Sequence, residues 1–154
     1  MERHVENIKS RRVGFTASTF DLLHAGHCAM LREAKEQCDY LICGLQIDPA
    51  LDRPEKNSPI QTIVERYTQL SSIKYVDEII VYATEQDLID IIEMYKIDVR
   101  ILGAEYMDKE FTGRELCDSL DIDLHFNSRQ HRFSSSDLRK RVVFAESDFV
   151  SKNK

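Results

Sequence analysis

Cysteine pairing, basic charge, proline and long apolar runs are all scarce in this chain. Of its 154 residues four are cysteines, Cys28, Cys38, Cys43 and Cys117, and they form neither a CxxC pair nor a zinc-ligand spacing. Cys43 falls inside an apolar run, where a thiol behaves as a small hydrophobe. Free thiols and a reducing, cytoplasmic setting are therefore expected. Lysine and arginine number 21 against 27 aspartates and glutamates, a net charge of −6, which argues against a dedicated nucleic-acid binder. No apolar stretch approaches the length of a membrane-spanning helix, so no membrane partner is expected. The charged segment Met1–Arg12 lacks the apolar core of a secretory leader and reads as a loosely held extension. The only three prolines, Pro49, Pro54 and Pro59, share one loop. No internal repeat or low-complexity segment interrupts the remainder.

What is present is an alternation of apolar runs and helical patterns. Val13–Ala17, Tyr40–Leu45, Glu78–Tyr82, Asp98–Leu102 and Ile122–Phe126 read as strands. Tyr40–Leu45 is nearly all apolar, as a strand covered on both faces should be. Ala25–Gln37, Gln61–Ile73, Glu85–Tyr95, Glu110–Ser119 and Ser135–Ala145 read as helices. The clearest is Glu85–Tyr95, where Leu88, Ile91, Ile92 and Tyr95 fall at i, i+3, i+4 and i+7. Strands alternating with helices predict one α/β domain: a Rossmann-like, doubly wound, parallel five-stranded sheet with helices on both faces. Its span is residues 13–145, between an extension at 1–12 and a polar tail at 146–154. Such sheets bind ligands beyond the carboxyl ends of their strands.

Two segments stand at those ends. Ser18-Thr19-Phe20-Asp21-Leu22-Leu23-His24-Ala25-Gly26-His27 follows the first strand and opens the first helix. His24 and His27 share a helix face. Unpaired N–H groups at the helix start and the helix dipole favour an anion, and Gly26 leaves room for close approach. A phosphate site with two imidazole donors follows. Half of a metal site is the competing reading; it needs further ligands, and Cys28 points away from His27. The second segment, Asn127–Arg141, carries Arg129, Arg132, Arg139, Lys140 and Arg141 against Asp137, a local net of +4 in an acidic chain. Ser134, Ser135 and Ser136 open the last helix, where they can cap it or offer donors to an anion. Arg139–Arg141 lie beyond the first turn and read as surface charge. The proline loop adds Arg53 and Lys56, in the manner of mobile loops that cover substrates.

These motifs resemble those of the HxGH nucleotidyltransferases. STFDLLHAGH resembles their first signature and SSSDLRKR their last-helix motif. Glu65-Arg66-Tyr67 with Tyr75-Val76-Asp77-Glu78 is similar to a stretch of the cytidylyltransferase branch, closest to the glycerol-3-phosphate cytidylyltransferases in length and spacing. The resemblance implies transfer of CMP from CTP to a small phosphate monoester, glycerol 3-phosphate, with release of pyrophosphate. It also implies Mg²⁺ bridging the phosphates, with Asp21 as candidate ligand directly or through water, and a homodimer. Carried over by position, Thr19, Phe20 and Asp21 shape the triphosphate and acceptor site, and His24 and His27 meet the α-phosphate. Arg66 and Arg129 match arginines of the family, Arg129 a phosphate-binding one. Ser134, Ser135 and Ser136 hold the β- and γ-phosphates, and Lys56 is the candidate loop lysine. Gly103-Ala104-Glu105-Tyr106 corresponds to a turn near the base, placing Gly103 and Glu105 beside Gly26 among the nucleotide-binding candidates.

Two departures keep the nucleotide open. Ser18 stands where the family has glycine, and Phe133-Ser-Ser-Ser replaces Ile-Ser-Thr-Thr. Triple serine also occurs in adenylyltransferases, and Ala25 and the Gly103–Tyr106 run have counterparts in heptose-phosphate adenylyltransferases. An ATP-using enzyme acting on a sugar phosphate is therefore the alternative, and a catalytically silent nucleotide-binding module a further one. An RNA-binding relative of class I tRNA synthetases is disfavoured by length, acidity and the lack of a lysine among the three serines.

Overall fold

A computed structural model describes residues 11–129 and 131–153. Five strands, β1 (Val13–Ser18), β2 (Tyr40–Gln46), β3 (Glu78–Tyr82), β4 (Val99–Leu102) and β5 (Asp123–Phe126), alternate with five helices, α1 (Ala25–Glu36), α2 (Ile63–Ser71), α3 (Glu85–Met94), α4 (Arg114–Ser119) and α5 (Ser135–Lys152). All four pairings are parallel, in the order β3-β2-β1-β4-β5. The chain thus winds outward from β1 in one direction, then returns to β1's other side and winds outward in the opposite one.

Alternation along β2 shows how each face is built. Ile42 joins Phe15, Leu88, Ile91, Ile92 and Cys117 on the face covered by α3 and α4. Leu41, Cys43 and Leu45 point the other way and pack with Leu31, Ala34 and Leu70 of α1 and α2. The period of two thus divides one apolar strand between two cores. No helix among the described residues is long and apolar enough to cross a membrane.

Element ends follow local chemistry. Thr62 caps α2 in a box with Glu65, so that helix starts later than the sequence pattern predicts, whereas Thr84 with Asp87 caps α3 at the expected start, Glu85. The helix expected from Glu110 begins only at Arg114, because Gly113 adopts a left-handed φ of 84° that interrupts the turn. The tail expected at 146–154 is instead helical through Lys152. It contains no glycine or proline to stop α5, and Lys152 pairs with Asp148 one turn earlier at 2.6 Å. Of the extension at 1–12, residues 1–10 lie outside the described residues. Arg12 is held, its guanidinium donating to Gln37 O at 3.0 Å and to Asp123 at 2.7 Å.

Candidate active site

The order of strands reverses between β1 and β4, and the crevice beyond their carboxyl ends is where a ligand fits. Two cavities lie there, about 570 Å³ and about 610 Å³, sharing Ser18, Met30, Gly103 and Glu105 as a common wall. The first collects His24, His27, Gly26, Arg129, Ser134 and Ser135. The second collects Thr19, Arg53 and Lys56. The two sequence motifs, more than a hundred residues apart, therefore converge on one cleft.

The histidines cap their own helix. The Gly26 N–H donates to His24 Nδ1 at 3.0 Å, and the His24 N–H donates to His27 Nδ1 at 3.3 Å. Each ring accepts at Nδ1, so in its neutral form the proton sits on Nε2. His24 Nε2 lies 3.0 Å from Ser135 Oγ, joining the two motifs directly. Burial, then the neighbouring His131, holds the His24 pKa below the ordinary imidazole value. Burial and then His24 lower His27 to about 4, against an upward pull from Asp21. Both rings are neutral near pH 7, each a single Nε2–H donor.

This geometry revises several sequence expectations. The helix start does not offer all its N–H groups to an anion, since the Gly26 N–H is taken by the His24 ring. Gly26 lines the first cavity and also makes room for the imidazoles: a Cβ there would lie 2.8 Å from His24 Cε1 and 3.1 Å from His131 Cε1. Phe20 is wholly buried, at a left-handed φ of 46°, with its ring 5.7 Å from that of His27. It supports a histidine and has no face for nucleotide. Arg66 is 2 % exposed and its guanidinium donates to four carbonyls, those of Gln61, Thr19, Gln46 and Ile47, at 2.6–3.0 Å. It ties the ends of β1 and β2 to α2, and with four of its five N–H donors spent on carbonyls and the side chain buried it is placed as an architectural rather than a phosphate-binding residue. Ser136 is exposed and outside both cavities, whereas Ser134 caps α5 by accepting from the Asp137 N–H at 3.1 Å.

Asp21 also has a different task from metal ligation. Its carboxylate accepts from the Ile60 and Gln61 N–H groups, both at 2.9 Å, and from Arg139 at 3.0 Å. Burial pulls its pKa up, but these donors together outweigh that and hold it below the usual carboxylate value. With three of its roughly four acceptor positions taken and its side chain 5% exposed, Asp21 is poorly placed to be a direct Mg²⁺ ligand. Among the described residues no cluster of three His, Cys, Asp or Glu could hold a metal.

Sequence reasoning missed Arg139, which stands one helical turn from Ser135 and so on the same face, a spacing that could have found it. It missed His131, stacked on Phe133 at 5.2 Å and lining the first cavity. In the second cavity it missed a network around Glu85, whose Oε1 lies 3.0 Å from Arg53 Nη2 and 3.3 Å from Gln46 Nε2. Thr112 Oγ1 donates to the other Glu85 oxygen at 2.6 Å.

Residues 15–141 match the family of cytidylyltransferase-like domains. Over 112 residues the chain is 38% identical to the bifunctional protein HldE of Paramagnetospirillum magneticum, 72% of this chain and 23% of that protein. Over 143 residues it is 31% identical to HldE of Helicobacter pylori, 92% of this chain and 30% of that one. The chain thus spans between about a quarter and a third of the length of these curated relatives. A crystal structure of the lipopolysaccharide core biosynthesis protein from Thermoplasma volcanium superposes with a TM-score of 0.63 at 25% identity, over 77% of this chain and 97% of that one. Pantothenate synthetase from Thermus thermophilus shares the fold alone, with a TM-score of 0.51 at 13% identity over 75% of this chain and 55% of its own.

Proposed function

The chain belongs to the cytidylyltransferase-like family and is a nucleotidyltransferase, and from that premise we propose that it transfers AMP from ATP to a sugar phosphate with release of pyrophosphate. The observation that carries this reading is the meeting of the His24 and His27 Nε2–H donors with Arg129, Ser134 and Ser135 in one cavity. Likeness to the HldE proteins and to a lipopolysaccharide core biosynthesis protein supports a sugar acceptor. With Ala25, the Gly103–Tyr106 run and the triple serine it favours ATP, and it replaces CTP and glycerol 3-phosphate as the leading pair.

A phosphate monoester is already anionic near neutral pH, so its oxygen attacks the α-phosphorus without a general base. The new P–O bond forms as the bond to the β-phosphate oxygen breaks, and pyrophosphate carries away the electron pair. The protein's work is to hold two anions in line and to stabilise the charge that develops. Neutral His24 and His27 donate from Nε2 to α-phosphate oxygens, while Ser134, Ser135 and Arg129 hold the departing phosphates. The acceptor occupies the second cavity, its phosphate toward Lys56 and its hydroxyls toward Gln46, Glu85 and Thr112. Mg²⁺ usually keeps several waters and binds through substrate phosphates; Asp21 does not hold it directly, and no step depends on it here.

A pyrophosphate-release panel tests the reading by crossing ATP and CTP with a sugar 1-phosphate, glycerol 3-phosphate, phosphocholine and phosphoethanolamine. Turnover with ATP and the sugar phosphate is expected. Turnover with CTP alone would overturn the nucleotide, and no turnover with any pair would return the chain to a silent binding module.

A further inference from the structure

Five side-chain nitrogen and oxygen atoms are buried without a hydrogen-bond partner among the described residues, and three of them belong to residues that line the first cavity: Nδ2 and Oδ1 of Asn127, and Nδ1 of His131. Asn127 is the most pronounced case. It is 7 % exposed, its whole amide is unpaired, and its backbone N–H is fixed to Leu102 O at 2.8 Å. That bond holds it at the end of β5, level with the Gly103–Glu105 turn that follows β4. Leaving a buried amide unpaired costs on the order of 1–3 kcal/mol for each unsatisfied group, so an amide at a cavity wall calls for a partner from outside the chain. The same cavity is lined by Phe133, which is 53% exposed and presents an aromatic ring at the surface.

An amide carries one acceptor and one donor side by side in a plane. That pattern complements the amino-bearing edge of adenine, whose exocyclic N–H donates while the adjacent ring nitrogen accepts. An exposed aromatic ring supplies a face on which a base stacks. Resting on the reading of the first cavity as the nucleotide site, we propose that Asn127 is the base-reading residue: its amide pairs with the adenine edge, and Phe133 stacks against the ring. Phosphate recognition at the histidine–serine mouth is thereby separated from base recognition at the end of β5.

The experiment is equilibrium binding by calorimetry to the full chain, with ATP, the purine riboside triphosphate that lacks the 6-amino group, and inorganic tripolyphosphate. It is run on the wild type, Asn127→Leu and Phe133→Ala. The wild type is expected to bind ATP roughly tenfold or more tightly than the purine riboside triphosphate, in keeping with the loss of a bidentate base contact. Asn127→Leu is expected to abolish that difference and to leave tripolyphosphate binding unchanged. Phe133→Ala should weaken both nucleotides alike. The wild-type comparison involves no variant, so it stands even if Asn127→Leu misfolds. Equal wild-type affinity for the two nucleotides overturns the proposal, as does discrimination that survives Asn127→Leu; an amide satisfied only by a buried water predicts either result. Discriminating ATP binding without pyrophosphate release for any acceptor would instead remove the proposed reaction and leave the base-reading role standing.

Discussion

Arg139 reaches back 118 positions to Asp21, with its guanidinium 3.0 Å from Oδ2 of a carboxylate that is only 5% exposed. Through that carboxylate three distant segments are joined: the turn after β1, the backbone at Ile60 and Gln61, and the last helix. The pair thus sets the distance between the two motifs that line the first cavity.

Removing one member of a buried ion pair leaves the other uncompensated and costs on the order of 3–5 kcal/mol. Asp21→Ala is expected to lose about that much stability in urea unfolding, since two backbone N–H groups are stranded as well. Arg139→Met should lose less, because Arg139 is partly exposed and its Nε is unpaired already. The double variant should lose less than the sum, which additive losses would contradict. Asp21→Asn should leave the Mg²⁺ concentration giving half-maximal rate unchanged. A several-fold rise would mean that Asp21 holds the ion after all.

His27 makes stability depend on pH. Its pKa is about 4 in the folded chain against 6.5 for an ordinary imidazole, so the unfolded chain binds a proton first as pH falls. Stability contributed by neutral His27 is present above pH 6.5 and drains away between there and pH 4. At about 1.4 kcal/mol per tenfold change, the loss is on the order of 3–4 kcal/mol. Unfolding of the wild type and of His27→Gln, followed from pH 7.5 to 4, should show the variant with a correspondingly flatter profile. Parallel profiles would place the proton elsewhere.

Catalysis should respond to the same rings by another route. His24→Ala and His27→Ala are each expected to lower kcat by roughly 10²–10³, the usual cost of deleting a donor to a developing oxyanion. A loss below about threefold in both would exclude the role. Gly26→Ala should also reduce kcat, because its Cβ would lie 2.8 Å from the His24 ring and displace it. In that variant the rate should fall further than folding stability, and a KM rise with unchanged kcat would argue against displacement.

The sheet was legible because its signals are local. Tyr40–Leu45 is apolar throughout, and Glu85–Tyr95 repeats with helical spacing, so neighbours in sequence decide both. The two motifs that meet in the first cavity were legible for a related reason, since each lies in one continuous stretch. What could not be read were tasks settled by residues far apart. Nothing beside Arg139 in the chain announces Asp21, and nothing beside Gln46 announces Glu85, 39 positions on. Motif matching even misdirects where a conspicuous charge is spent on backbone. Arg66 and Asp21 both sit in recognisable motifs, yet their hydrogen bonds go to the chain itself.

Arg66 offers the sharpest separation of architecture from binding. Its guanidinium satisfies carbonyls at the ends of β1 and β2 and at the entry to α2, and it is 2 % exposed. Methionine at this position keeps much of the side-chain length but strands buried acceptors, each at a cost on the order of 1–3 kcal/mol. Arg66→Met is therefore expected to lose several kcal/mol in urea unfolding. Lysine provides one charged donor group in place of a planar fork and cannot span the same carbonyls, so Arg66→Lys should recover only part of that loss. Where either variant remains folded, its KM for the nucleotide should stay within about threefold of wild type, since Arg66 is buried and four of its five N–H donors are spent on carbonyls. A tenfold rise in KM for nucleotide with stability unchanged would reverse the assignment and give Arg66 back to the substrate.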